Sequence, residues 1–295
     1  MTGSSEGPER PTSSSPLDQL GIGTEWIKEG WPSEPRRSTA RTDIGELLGC
    51  SLADLEDRLD VGAVPVGNLS VIIGGVPVPQ NRYTRGERIN TVQLRQLREG
   101  GATIALRGLA QVLPGIARFG EALSDSLGED VQVNAYLTPP GNQGFAHHYD
   151  THTAVIVQVS GSKVWEFFEP VVVDPVFPYQ QWTSQAASLY QRQLPELTAW
   201  AQWTLNPGDV LWVPRGWIHN PYAPADSVEP SLHLTLGVLE STYVGALERL
   251  ARVAAGSDAM RKALPPATTP DVRAEALREA LREWIGKADL TQVFR

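Results

Sequence analysis

His148 and Asp150 stand two residues apart, and His219 follows far downstream, after Trp217 and Ile218. Two imidazoles and one carboxylate form the facial set that holds non-haem Fe(II) and leaves other coordination positions open. The open positions carry the consequence. A metal with free sites binds an organic co-substrate and then dioxygen, as an oxygenase requires. In an extended segment, period-two alternation turns His148 and Asp150 to the same face, with Cα atoms about 6–7 Å apart. His219 has to arrive from a distant strand. The turn Asn206-Pro207-Gly208-Asp209, the apolar run Val210–Val213 and the turn Pro214-Arg215-Gly216 precede it. Such a strand–turn–strand unit can aim one imidazole back at the other two donors.

Other histidines compete for the role. Alternation sends His147 to the opposite face. His152 shares the face of Asp150, but three ligands already close the set. His233 sits in the apolar strand Leu232–Leu236, and spacing alone leaves open whether it or His219 is the third donor.

The elements that must position these residues are mainly short strands. Leu69–Ile73, Ala102–Leu106, Val131–Leu137, Ala154–Val159, Lys163–Phe168, Val210–Val213 and Leu232–Leu236 are apolar or alternating runs punctuated by Gly and Pro. That pattern predicts a barrel or sandwich. One helix is expected to interrupt them, over 112–127, ended by Gly128. Residues 17–60 read as a helical cap, with Ser51 and Asp54 spaced as a capping box. Helices are expected again over 244–253 and 271–285, separated by Pro265-Pro266. The division expected is a disordered tail over 1–16, the cap over 17–60, the barrel over 61–240 and a helical segment over 241–295.

Composition narrows the partners. Hydrophobic residues make up 41% and charged residues 20% of the 295, as in a soluble globular protein. A net charge of -9 repels a phosphate backbone, so nucleic acid is not an expected partner. The single cysteine, Cys50, allows no intramolecular disulfide and fits a reducing cytoplasm. The first residues lack the basic-then-apolar pattern of a secretory signal, and no run of about 18 apolar residues predicts a membrane span.

Several motifs together resemble a known family. Asn134-Ala135-Tyr136 with Pro139-Pro140-Gly141, His148-Tyr149-Asp150, Gly161-Ser162-Lys163-Val164-Trp165, Pro207-Gly208-Asp209 running to Pro214-Arg215-Gly216-Trp217-Ile218-His219, and Ser231-Leu232-His233 occur in the order found in JmjC oxygenases. The chain is most similar to their cupin-like branch, which includes the ribosomal oxygenases that hydroxylate histidyl or arginyl residues. The resemblance spans roughly residues 69–239. It implies a mainly β, double-stranded β-helix (jelly-roll) fold with helical N- and C-terminal additions. It implies Fe(II) held by His148, Asp150 and His219, with 2-oxoglutarate and dioxygen as co-substrates. His233 then becomes a supporting or substrate-side residue. Lys163 matches the lysine that pairs with the distal carboxylate of 2-oxoglutarate, and Asn134 and Tyr136 match polar groups lining the same pocket. A dianion inside a barrel needs such a cation, since a buried carboxylate without a partner is costly. Trp165, Trp212 and Trp217 are expected in the core or the pocket wall.

The function expected is hydroxylation of a peptidyl or protein side chain, with the β-carbon of histidine as target. The segment after the barrel is too short for both a dimerising helical region and a winged helix. That favours a short substrate such as a natural-product precursor peptide. A free small molecule as substrate, or a non-catalytic metal-binding cupin-like role, are the alternatives. The terminal helices suggest a homodimer or a cover for the open edge of the sheet.

Overall fold

A computed structural model of the chain describes residues 14–294, apart from 29, 50, 184, 186, 189–191, 193–197, 267 and 268. Cys50 and residues 1–13 of the expected tail lie outside the described residues. The tail's last residues are ordered instead: the Ser15 side chain caps a helix at Pro16–Gln19 by accepting from the Asp18 backbone. The chain divides into two compact units, one ending at Glu240 and one beginning at Ser241. The second unit carries helices at Tyr243–Ala255 and Pro270–Ile285. Among the described residues no helix is long and apolar enough to cross a membrane.

The first unit is built on antiparallel sheets. Its strands are β1 (Arg36–Thr39), β2 (Leu69–Ile73), β3 (Val76–Pro77), β4 (Thr84–Arg85), β5 (Arg88–Ile89), β6 (Thr103–Leu106), β7 (Asp130–Thr138), β8 (Thr153–Ser160), β9 (Lys163–Phe168), β10 (Ala201–Leu205), β11 (Asp209–Val213), β12 (Ile218–Tyr222) and β13 (Ser231–Leu239). Eight form a large sheet in the order β1-β11-β8-β13-β7-β6-β2-β3, and three form a small one in the order β10-β9-β12. Between β8 and β13 the chain crosses repeatedly from one sheet to the other, as in a jelly-roll, double-stranded β-helix.

Alternation explains both faces of the large sheet. Val155 and Val157 of β8, and Val210 and Trp212 of β11, join the core that also holds Leu17, Leu48, Leu55, Ile116 and Phe119 from the helical segments. Their neighbours Ala154, Ile156, Leu211 and Val213 turn the other way and meet Trp165, Phe167, Leu205 and Trp217. A strand covered on both sides reads as a continuous apolar run, which is why β8 and β11 show no polar alternation. In β7 and β13 the pattern is different. Val133, Ala135, Leu137, Leu232, Leu234 and Leu236 face the helical side. Asn134, Tyr136, Thr138, His233 and Thr235 are therefore left on the face towards the small sheet. One half of the space between the sheets is apolar and the other half polar.

The expected interrupting helix is present at Pro114–Leu127, closed by Gly128 at φ 68°. Ser51 and Asp54 form the capping box of the helix Leu52–Asp60. Two expectations need correction. A second helix, Thr91–Glu99, also interrupts the strands, and Asn90 caps it by accepting from the Gln93 backbone. Within the segment read as wholly helical, residues 36–39 form β1, which pairs with β11. Its residues lack apolar periodicity, and the free backbone edge of β11 offers a full set of ladder partners, so tertiary pairing overrides local preference. Arg37 Nη2 fixes the register by an ion pair with Asp209 at 2.7 Å.

Candidate metal centre

His219 lies in β12, whose register against β9 places it opposite Phe167. His148 and Asp150 lie outside any named strand, which corrects the strand-like setting expected for them. Their alignment comes from direct pairing with the β12 segment. His148 N–H donates to His219 O at 3.1 Å and His219 N–H to His148 O at 2.8 Å. Gly216 N–H donates to Asp150 O at 2.9 Å, and Ala223 N–H to Asn142 O at 2.9 Å. The loop is stitched along the segment that carries the third donor.

The structure brings His148, Asp150 and His219 together, with one donor atom of each within 4.8 Å of the others. His219 Nε2 stands 3.8 Å from Asp150 Oδ2. The other ring nitrogens are occupied: His148 Nδ1 meets Ala146 O at 2.8 Å and His219 Nδ1 meets Trp217 O at 3.0 Å. Each carbonyl can only accept, so each Nδ1 carries the proton and each Nε2 presents a lone pair. Burial, reinforced by His148, drives the His219 pKa down to about 4 against the opposing pull of Asp150, so the ring is a neutral donor at neutral pH. Burial raises the Asp150 carboxyl, but His148, His152 and His219 around it outweigh that and hold it below its ordinary value. A lone-pair pair plus a carboxylate suits a first-row divalent ion and leaves further positions for small ligands.

The competing histidines separate cleanly. The His147 ring packs against Phe168, with centroids 5.4 Å apart. His152 lines the cavity but is not one of the three converging donors; the absence of a Cβ on Gly237 makes room for its ring, since a Cβ there would stand 2.9 Å from His152 Cδ2. His233 stacks on Tyr136 at 5.1 Å between centroids, deeper in the same cavity.

That cavity measures about 220 Å³ and is shared by the trio, Lys163, Tyr136 and Asn134. Lys163 is 2% exposed and donates to Thr138 Oγ1 at 2.9 Å. Among the described residues it has no carboxylate partner, and burial lowers its pKa to about 7. A buried ammonium facing a cavity without a counter-ion is the signature of an anion site. Burial and the field of Asp150 raise the Tyr136 hydroxyl to about 12, so it stays a hydrogen-bond donor. Asn134 Oδ1 accepts from Gly108 N–H at 3.0 Å, which ties part of the expected pocket amide to a backbone turn. Thr138 and Thr103, bonded to one another at 3.1 Å, went unnoticed in the sequence. The strand period was the available signal, since Thr138 continues the inward face of Asn134 and Tyr136. Trp165 lines the cavity, Trp212 is core and stacks with Trp31, and Trp217 donates from its indole to Ser33 O at 2.8 Å.

Residues 110–244 match the JmjC domain family. Over that span the chain is similar to a JmjC domain. Its triad, Lys163 and the polar strand face all fall inside that span. The chain is 36% identical over 166 residues, 54% of its length and 22% of the relative's, to the bifunctional lysine-specific demethylase and histidyl-hydroxylase NO66 of Drosophila yakuba. It is 31% identical over 229 residues to ribosomal oxygenase 1 of Gallus gallus, spanning 77% of this chain and 36% of that one. It thus covers about a fifth to a third of these curated relatives. The fold is similar to that of a solved structure of YcfD, a ribosomal oxygenase from Escherichia coli in complex with cobalt and 2-oxoglutarate. The TM-score there is 0.56 at 16% identity, covering 90% of this chain and 67% of that one.

Two outcomes follow for the trio. Calorimetric titration with Co(II) should give one site per chain, and His148→Ala or Asp150→Ala should weaken it by more than the roughly 10–100-fold that loss of a supporting bond brings, while His147→Ala leaves it unchanged. Gly216 sits at φ 86°, and a Cβ there would stand 2.7 Å from Val172 O. Gly216→Ala should therefore cost about 1–3 kcal/mol in chemical denaturation and weaken metal binding through the lost hold on Asp150.

Proposed function

We propose that this protein is an Fe(II)- and 2-oxoglutarate-dependent oxygenase that hydroxylates a side chain of a protein or peptide. The observation that carries the reading is the buried Lys163 ammonium, unmatched by any described carboxylate, in one cavity with the trio His148, Asp150 and His219. The names of its relatives support it: one is called a histidyl-hydroxylase and another a ribosomal oxygenase. The histidine β-carbon is the target we favour, and a short peptide the substrate. Apolar side chains left exposed on the C-terminal helices, Tyr243, Leu247 and Val272 among them, support self-association as a dimer.

A ferrous ion with 2-oxoglutarate, when bound, supplies oxidative decarboxylation coupled to insertion of one oxygen atom from dioxygen into a C–H bond. This chain's residues do the rest. His148, Asp150 and His219 would hold the ion. Lys163, with Thr138 behind it, takes the distal carboxylate, and Tyr136 is positioned as a further donor in the same pocket. The apolar wall of Trp165 and Ile156 excludes water from the reacting side. No side chain is needed as a general base.

Incubation with ferrous iron, 2-oxoglutarate and a peptide library should yield succinate and a mass gain of one oxygen on a peptide; succinate formation by no peptide would sink the proposal. Lys163→Met should loosen 2-oxoglutarate by about 3 kcal/mol, on the order of a hundredfold in Kd. In the parent protein the Lys163 pKa of about 7 sets a pH window. Below pH 7 the lysine is charged before the dianion arrives. Above it the lysine must first take up a proton, so affinity should fall with rising pH, approaching tenfold per unit. Lys163→Met should flatten that slope.

A further inference from the structure

Arg215 stands directly before Gly216, the residue whose N–H holds Asp150 O. Its side chain is 19% exposed, and Nε lies 3.0 Å from Glu240 Oε2, whose side chain is 5% exposed. Glu240 is the last residue of the first unit, just beyond β13. Its other oxygen accepts from Thr153 Oγ1. Thr153 opens β8, three residues beyond Asp150, and is 1% exposed. Asp174 approaches the same guanidinium at 3.7 Å, from the segment whose Val172 carbonyl crowds Gly216. One buried carboxylate thus joins the segment carrying His148 and Asp150 to the turn that leads into His219.

We propose that Glu240 is a positioning residue for the metal centre: through Arg215 and Thr153 it fixes the separation of Asp150 from His219. The assignment rests on the trio holding a metal. An ion pair and a hydrogen bond from one side chain act on both sides of the Gly216–Asp150 contact, so loss of the carboxylate frees the turn and the Asp150 segment to drift apart. Breaking the buried ion pair also leaves Arg215 with only the more distant and exposed carboxylate of Asp174. Arg215 Nη1 already lacks a hydrogen-bond partner among the described residues. A purely structural anchor would lower the melting temperature and leave the metal's surroundings as they are. A positioning residue changes the metal's surroundings in molecules that remain folded.

The test compares the parent, Glu240→Gln and Glu240→Ala. The glutamine keeps the shape and an acceptor for Thr153 while removing the charge, and it carries the test where the alanine variant does not fold. Co(II) affinity and the visible Co(II) spectrum are read on each, together with amide hydrogen exchange of the metal-free proteins. Glu240→Gln should bind Co(II) roughly 10–100-fold more weakly with an altered spectrum. The Gly216 and His219 amides should exchange faster while those of β7 are unchanged. Equal affinity and an identical spectrum in parent and variant would overturn the positioning role and leave the metal centre standing. A parent that binds no Co(II) would overturn the metal centre itself, and the role of Glu240 with it.

Discussion

The geometry of the centre depends on one antiparallel backbone pair, in which His148 and His219 each donate to the other's carbonyl. Residues exchanging both bonds in this way face each other across about 5.5 Å, with side chains on the same side. The pair therefore presents two imidazoles to one point whatever happens to the chain between them. Their ring centroids are 4.3 Å apart. A second bridge, Gln143 to Tyr222, lies further along, and the register slips between the two. The loop thus behaves as an interrupted fourth strand on the edge of β12. The interruption matters because a regular strand would carry residues 144–147 along the sheet, whereas here Gly144 and Phe145 turn to line the cavity.

Around that pair, the polar half of the space between the sheets is a departure from the usual rule that strands turn apolar residues inward. β7 and β13 bury their apolar faces under the helical segments and direct Asn134, Tyr136, Thr138, His233 and Thr235 towards the small sheet. Such an interior costs stability, because each group must find a partner or stand beside solvent or ligand. His233 Nδ1 and Trp165 Nε1 have none among the described residues. The apolar core shared with Leu17, Leu48, Leu55, Ile116 and Phe119 offsets that cost from the opposite face. The helical additions therefore do more than cap the sheet: they let it spend its inner surface on chemistry.

Much of this was legible in the sequence, for reasons that are local. β9 and β2 are bounded as their apolar runs are, because β-branched and aromatic residues end there at Gly or Pro. The capping box at Ser51 needs only its own four residues. The illegible parts depend on distant chain. β1 has no pattern of its own and exists because β11 would otherwise be an open edge. The placement of His148 and Asp150 rests on pairing with residues from another part of the chain, not on a strand of their own. Thr138 as the partner of Lys163 joins the two sheets, and no spacing along the chain records that contact.

Charge accounting connects these features. The cavity holds the carboxylate of Asp150 and, not in contact with it, the cationic side chains of Lys163 and Arg107. A divalent ion alone adds two positive charges to a buried space, and a dianion alone adds two negative ones. Each is costly at low dielectric. Binding both cancels the two additions, with Asp150 beside the ion and Lys163 beside one carboxylate. In the proposed enzyme the two therefore bind with positive coupling, and reciprocity requires that each tighten the other by the same factor. The separation of Asp150 from Lys163 is what makes this work. Were the two in contact they would neutralise one another, and neither ligand would find a charge waiting.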